Sequence, residues 1–234
     1  MNDFFSKETN YFHIHIPKTG GTTLNSVFDK YSWFTNGGHC FFNNTFPHVG
    51  VTNTEGKKWA NYQDNGYTDG MARIAVVRNP FSWLWSYYNH EGRTHFRLFK
   101  HSGWQGCNDY HKFRSFNEFI NYYLDDDNYW HVPPLQKSPL GQIKNGNKLE
   151  VDCLVYNEYL NDFIQMLANS KGISLENIQN ENRGKKNRTD YRSFYTSNQI
   201  DAVYKKFSDF FQITDYTFDG FNVKPNGPMI RMPK

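Results

Sequence analysis

At 234 residues the chain is long enough for one fairly large domain with a core of its own, and three cysteines, an odd number and widely spaced, do not make a disulfide framework. A net charge of +3 suits anionic ligands but is too small to mark a nucleic-acid binder. No apolar run approaches the roughly 18 residues of a membrane span, and residues 1–10 lack a signal-peptide core, so the chain is expected to be soluble and cytoplasmic.

In chain order, residues 11–16 (YFHIHI) alternate and are β-prone, which predicts a strand that breaks at Pro17. Residues 22–30 place Leu24, Val27 and Phe28 at helical spacing. Strand, glycine-containing loop and helix together open an α/β nucleotide-binding unit. Residues 31–70 are rich in Gly, Asn and Thr and give no clear period. Residues 71–77 (MARIAVV) form an unbroken apolar run, as a buried parallel strand would. Pro80 then suits the first turn of a helix continuing to Tyr88.

Further on, residues 101–109 look like a loop and residues 113–123 (FRSFNEFINYY) like a helix. Residues 133–147 are loop-like, and residues 151–156 (VDCLVY) predict a third strand. Residues 161–171 and 197–211 predict helices, the latter with an apolar stripe of Ile200, Val203, Tyr204 and Phe207. The tail after Phe221 carries three prolines and is expected to be extended. With no repeat and no long linker, residues 1–234 are expected to form a single domain.

Two segments carry anion-binding chemistry. Residues 15–24 read HIPKTGGTTL. Adjacent glycines let the backbone approach an anion, and the helix that follows offers free N–H groups and a positive dipole end. Lys18 adds charge; Thr19, Thr22 and Thr23 add hydroxyls. Lysine precedes the glycines here, the reverse of a Walker A loop. Residues 76–88 read VVRNPFSWLWSYY. Arg78 leaves the C-terminal end of a strand, where open α/β sheets bind ligands. Ser86 lies two turns into the next helix and can share a site with it; an arginine fork and a hydroxyl suit a terminal phosphate. The pair of signals describes a ligand with anionic groups at both ends.

These segments resemble the PAPS-dependent sulfotransferases, particularly the carbohydrate branch that includes heparan sulfate 2-O-sulfotransferase. HIPKTGGTTL is similar to that family's 5′-phosphosulfate loop, with Pro17, Lys18, Thr19, Gly20, Gly21, Thr22 and Thr23 as its members. VRNPFSWLWSYY is similar to the 3′-phosphate motif, with Arg78 and Ser86 in the phosphate-binding places; many members carry arginine where this chain has Trp83. Residues 151–163 (VDCLVYNEYLNDF) and 187–196 (NRTDYRSFYT) resemble the family more loosely.

The resemblance implies a P-loop-NTPase-like three-layer α/β fold, with a central mainly parallel sheet flanked by helices. It also implies transfer of a sulfuryl group from 3′-phosphoadenosine 5′-phosphosulfate (PAPS) to a hydroxyl, expected to be on a carbohydrate, leaving 3′-phosphoadenosine 5′-phosphate (PAP). No metal is expected to take part.

Such a transfer needs charge stabilisation on the leaving oxygen, a place for Lys18, and a general base for a poorly acidic hydroxyl. His48, in residues 46–51 (FPHVGV), falls between the two motifs, where the carbohydrate branch carries its histidine base; His39 is the runner-up. His15 is expected to support the loop and His13 to be structural. The basic run 183–192 (RGKKNRTDYR) reads as a solvated loop or as a flap that brings Lys185, Lys186 or Arg188 to the 3′-phosphate and Tyr191 or Tyr195 to the adenine. The aromatic content of 18% suits a core, a purine platform or sugar floors equally. Two other functions compete: a P-loop kinase or NTPase, which lacks the Walker lysine order, and a polyanion- or sugar-binding module, which leaves the tandem anion sites unexplained.

Overall fold

The computed structural model describes residues 5, 9–16, 18–21, 23–24, 27, 34–36, 51–52, 58–59, 70–93, 96–97, 110–125, 140, 143–145, 148–172, 174–175 and 190–232. The chain divides into two compact units. One comprises Met1–Val77, Leu140–Lys186 and Pro225–Lys234, the other Arg78–Pro139 and Asn187–Lys224.

The first unit holds a five-stranded sheet of β1 (Tyr11–Ile14), β2 (Phe34–Asn36), β3 (Ala72–Val77), β4 (Cys153–Tyr156) and β5 (Met229–Arg231), in the order β5-β4-β3-β1-β2. The pairs β1–β2, β1–β3 and β3–β4 are parallel, and β4–β5 is antiparallel. The fold is therefore mixed α/β on a central, mainly parallel sheet. Both faces of the central strands are buried: Tyr11, Phe12 and Ile14 of β1, Ile74 to Val77 of β3, and Cys153 to Val155 of β4 are all 0% exposed. That burial explains why β3 reads as an unbroken apolar run rather than as alternation. On one face Tyr11, Ile74, Val76, Cys153 and Val155 pack with Leu24 and Val27 and with Leu160, Phe163, Ile164 and Leu167 of the helix Leu160–Lys171.

The strand order reverses at β1. Its crossover leads to β2 on one side, whereas β3 lies on the other and is followed outward by β4. Open α/β sheets bind ligands outside the C-terminal ends of their strands at such a switch point. The segment after β1 carries Lys18, and the residue after β3 is Arg78.

In the second unit, α1 (Pro80–Tyr87), α2 (Phe116–Leu124), α4 (Ser197–Lys206) and α5 (Ser208–Thr214) surround an aromatic core; the helix Leu160–Lys171 of the first unit is α3. Trp83 is fully buried and meets Tyr87 at 4.7 Å, Phe207 at 6.3 Å and Tyr123 at 6.4 Å edge to face. Phe81 lies against Tyr195, Tyr204 and Phe218. Much of the aromatic excess is core.

Several boundaries differ from expectation. The helix expected from residue 113 begins at Phe116 because Ser115 caps it, its hydroxyl accepting from the Glu118 N–H. The helix expected over 197–211 breaks at Phe207 (φ −114°, ψ 29°) into α4 and α5. The expected loop 133–147 ends in a hairpin, Lys144–Asn145 with Lys148–Leu149. The tail contributes β5, tied to β4 by Tyr156 N–H to Pro228 O (2.9 Å) and Met232 N–H to Asp152 O (3.0 Å). Among the described residues no helix is long and apolar enough to cross a membrane.

Candidate active site

The segment after β1 turns sharply. Lys18 has φ +66° and Gly20 φ +96°. For glycine that region is free; for lysine it costs on the order of 1–3 kcal/mol, and the surroundings must hold it. Three hydrogen bonds do so. The fully buried Thr19 donates its Oγ1–H to Ile16 O at 2.8 Å. Asn157, at the end of β4, donates from Nδ2 to Thr19 O at 2.6 Å. The Thr23 N–H donates to Gly20 O at 3.0 Å and starts a helix in which Gly21, Thr23, Leu24 and Val27 are helical. At about 1 kcal/mol net each, such bonds match the strain they oppose.

Each glycine of the pair has a separate reason. A Cβ on Gly20 would meet Asn157 Nδ2 at 2.5 Å and Leu160 Cδ2 at 3.2 Å. A Cβ on Gly21 would meet the ring of His15, with its Nε2 at 2.7 Å, and His13 Cε1 at 3.0 Å. The two imidazoles stack at 5.7 Å, and His13 is fully buried. His15 thus packs against the start of the helix, and His13 backs it.

The loop suits an oxyanion of a phosphate or sulfate. It carries a lysine, half-buried and held in one backbone conformation, and the N–H groups of a helix start, which lack intrahelical partners. The Thr19 hydroxyl, expected as a donor to the ligand, instead gives its proton to Ile16 O. Thr23 is buried, 4% exposed.

In the second unit Arg78 Nε donates to Ser82 Oγ at 2.8 Å. Asn79 caps α1, its Oδ1 accepting from the Phe81 N–H at 3.1 Å, while its Nδ2 donates to Thr217 O at 2.7 Å. With Pro80 at the first helical position, the order Arg-Asn-Pro is a helix start that fixes the arginine beside the first turn. Ser86 is half-buried one turn beyond Ser82, so the two hydroxyls fall on one stripe of α1. Ser82 was missed in the sequence; its four-residue spacing from Arg78 was the available signal. Asn157 was missed as well, although a polar residue just after a parallel strand is where ligand sites in such sheets gather.

Trp83 sits fully buried inside the aromatic core of the second unit. Tyr191 and Tyr195, expected near an adenine, donate their hydroxyls to Phe218 O and Phe81 O, each at 2.8 Å. Burial, with Tyr191 nearby, pushes the Tyr195 phenol well above its ordinary value. Arg192 pairs with Asp190 at 3.1 Å and Asp219 at 3.5 Å. The Arg192 backbone N–H, and then its guanidinium, holds the Asp190 carboxyl below the usual range. The end of the basic run is therefore a bonded turn. Pro17, Thr22, His39, His48, Lys185, Lys186 and Arg188 lie outside the described residues. Among the described residues no group of three or more His, Cys, Asp or Glu could hold a metal ion.

Residues 2–217 match the model of the Sulfotransferase family, which covers both anion-binding segments and most of the chain. The chain belongs to the Sulfotransferase family. It is thus a sulfotransferase enzyme, and the Lys18 loop and the Arg78 turn are elements of a sulfotransferase. No curated protein matches the chain. Among solved structures, mouse sulfotransferase SULT7A1 complexed with PAP is similar over 89% of this chain and 86% of that one, at 13% identity and a TM-score of 0.48.

Proposed function

We propose that this sulfotransferase moves a sulfuryl group from PAPS to a hydroxyl acceptor, with carbohydrates as the acceptor class. The observation that carries this reading is the lysine of the post-β1 loop, held in a left-handed conformation at a helix start within a chain that matches the family from residue 2 to 217. The donor set fits the substrate: a cation and backbone N–H groups for the 5′-phosphosulfate, and an arginine fork, oriented by Ser82, with the Ser86 hydroxyl for the 3′-phosphate.

In the step, the acceptor oxygen attacks sulfur and forms the new S–O bond. The bond from sulfur to the bridging oxygen of the 5′-phosphate breaks, and PAP leaves with that oxygen. Lys18 stabilises the charge that grows there, an interaction strongest in the transition state. His48 takes the proton from the acceptor hydroxyl; its place between the two phosphate motifs and a histidine's pKa of about 6.5 support that role. Lys185, Lys186 or Arg188 closes on the 3′-phosphate. The carbohydrate class rests on the resemblance of both motifs to the carbohydrate branch.

The test is transfer from labelled PAPS to a panel of oligosaccharides, phenols and peptidyl tyrosines, by the wild type and His48→Ala. Label should pass to an oligosaccharide, and His48→Ala should lose on the order of a hundredfold in kcat with PAP affinity kept within about twofold. The acid limb of the wild-type profile, at about pH 6–7, should vanish with the imidazole. Transfer to phenols alone would overturn the acceptor class, and an unchanged profile would move the base to His39.

A further inference from the structure

We infer that Asn157 is a positioning residue for Lys18, acting through the Thr19 peptide. The inference rests on the reading that Lys18 stabilises the leaving oxygen. Thr19, next to Lys18 in the chain, is gripped from two directions: its hydroxyl donates to Ile16 O at 2.8 Å, and its carbonyl accepts from Asn157 Nδ2 at 2.6 Å. The Asn157 bond joins residues 138 apart in the chain and links the ends of β4 and β1, which are separated in the sheet by β3.

Asparagine side chains just before or at a helical turn ordinarily bond locally. Here the short turn Asn157–Tyr159 has no side-chain cap, and the Asn157 amide lies instead against the loop. A Cβ on Gly20 would stand 2.5 Å from its Nδ2 and 3.7 Å from its Cγ, so glycine is needed for the amide to reach the carbonyl. The bonded carbonyl is flanked by the two positive-φ residues, Lys18 and Gly20. Without the amide, the Thr19 carbonyl loses its bond to Asn157, one restraint on relaxation of Lys18 towards the right-handed region that lysine prefers. That relaxation would swing the ammonium away from one fixed place. A displacement of about 1 Å at a catalytic group can cost a hundredfold in rate.

The test is a double-mutant cycle between Asn157→Ala and Lys18→Ala, read as kcat for sulfuryl transfer and as PAP affinity by calorimetry. Asn157→Ala alone should lower kcat at least tenfold while PAP affinity changes less than about threefold; in the Lys18→Ala background the same substitution should change kcat by less than about twofold. Equal losses in both backgrounds, or wild-type kcat for Asn157→Ala, overturn the inference and leave the proposed reaction intact. Full activity in Lys18→Ala overturns both.

Hydrogen exchange of the ligand-free chain gives a second readout, independent of activity. In Asn157→Ala the amides of residues 18–21 should exchange at least tenfold faster, with those of Phe163 to Ala168 in α3 unchanged. Loop and helix losing protection together would make Asn157 a support of the fold rather than of Lys18.

Discussion

Arg78 donates its Nε–H to Ser82 Oγ at 2.8 Å, so the arginine that follows β3 is tied to the first turn of α1. The Ser82 hydroxyl in turn donates to Asn79 O at 3.2 Å, within the motif that starts the helix. A side chain fixed in this way loses little freedom when it binds an anion.

If Arg78 reads the 3′-phosphate, Arg78→Ala should weaken PAP binding by roughly a hundredfold or more, as when one partner of a buried charge pair is removed. Ser82→Ala should weaken it only several-fold, since it removes an orienting bond worth about 1 kcal/mol. Nucleotides without a 3′-phosphate should bind almost equally to all three proteins. Calorimetry checks this, and an equal loss for such nucleotides would remove Arg78 from that role.

Lys18→Ala should lower kcat far more than it weakens PAP binding, because the ammonium acts on charge that develops during transfer. Turnover and binding measured side by side decide it. Equal losses would make Lys18 a simple phosphate clamp.

Gly21→Ala should destabilise the protein by about 1–3 kcal/mol, as expected for an added carbon in a filled space. Its Cβ would press on the ring of His15 and on His13 Cε1. His15→Ala in the same chain should recover much of that loss. Urea unfolding of the two variants checks it, and full stability of Gly21→Ala would contradict the packing described.

Tyr195 should make the protein alkali-sensitive. Its folded-state pKa is raised above the ordinary 10.0, chiefly by burial. The unfolded state therefore loses this proton first. The contribution of Tyr195 is fully present below about pH 10 and falls as pH rises towards the folded value. Tyr195→Phe should be less stable at neutral pH for want of the bond to Phe81 O, yet decline less steeply above pH 10. Thermal unfolding at pH 7 to 11 checks the slope, and parallel declines would contradict it.

Strand β1 was legible from its alternating, β-prone residues up to Pro17, and β3 from an unbroken apolar run of the kind a strand buried on both faces carries. Strand β5 was not, because prolines at 225, 228 and 233 mask a three-residue strand that joins the sheet through long-range pairing with β4. The loop around Lys18 announced its glycines but not their causes, since Asn157 and His15 press on them only in the folded chain. For Tyr191 and Tyr195 the sequence showed tyrosines beside basic residues but not the backbone carbonyls, of Phe218 and Phe81, that their hydroxyls serve in the folded chain. The break at Phe207 was invisible because its apolar stripe continues through the bend.

The reaction proposed requires that this chain bind and use a nucleotide bearing both a 5′-anion and a 3′-phosphate. Calorimetric titration with PAP, in the absence of metal and beside ATP with Mg²⁺, tests it most directly. PAP should bind without metal, and Arg78→Ala should abolish its advantage over ATP. ATP with Mg²⁺ binding more tightly than PAP would contradict it.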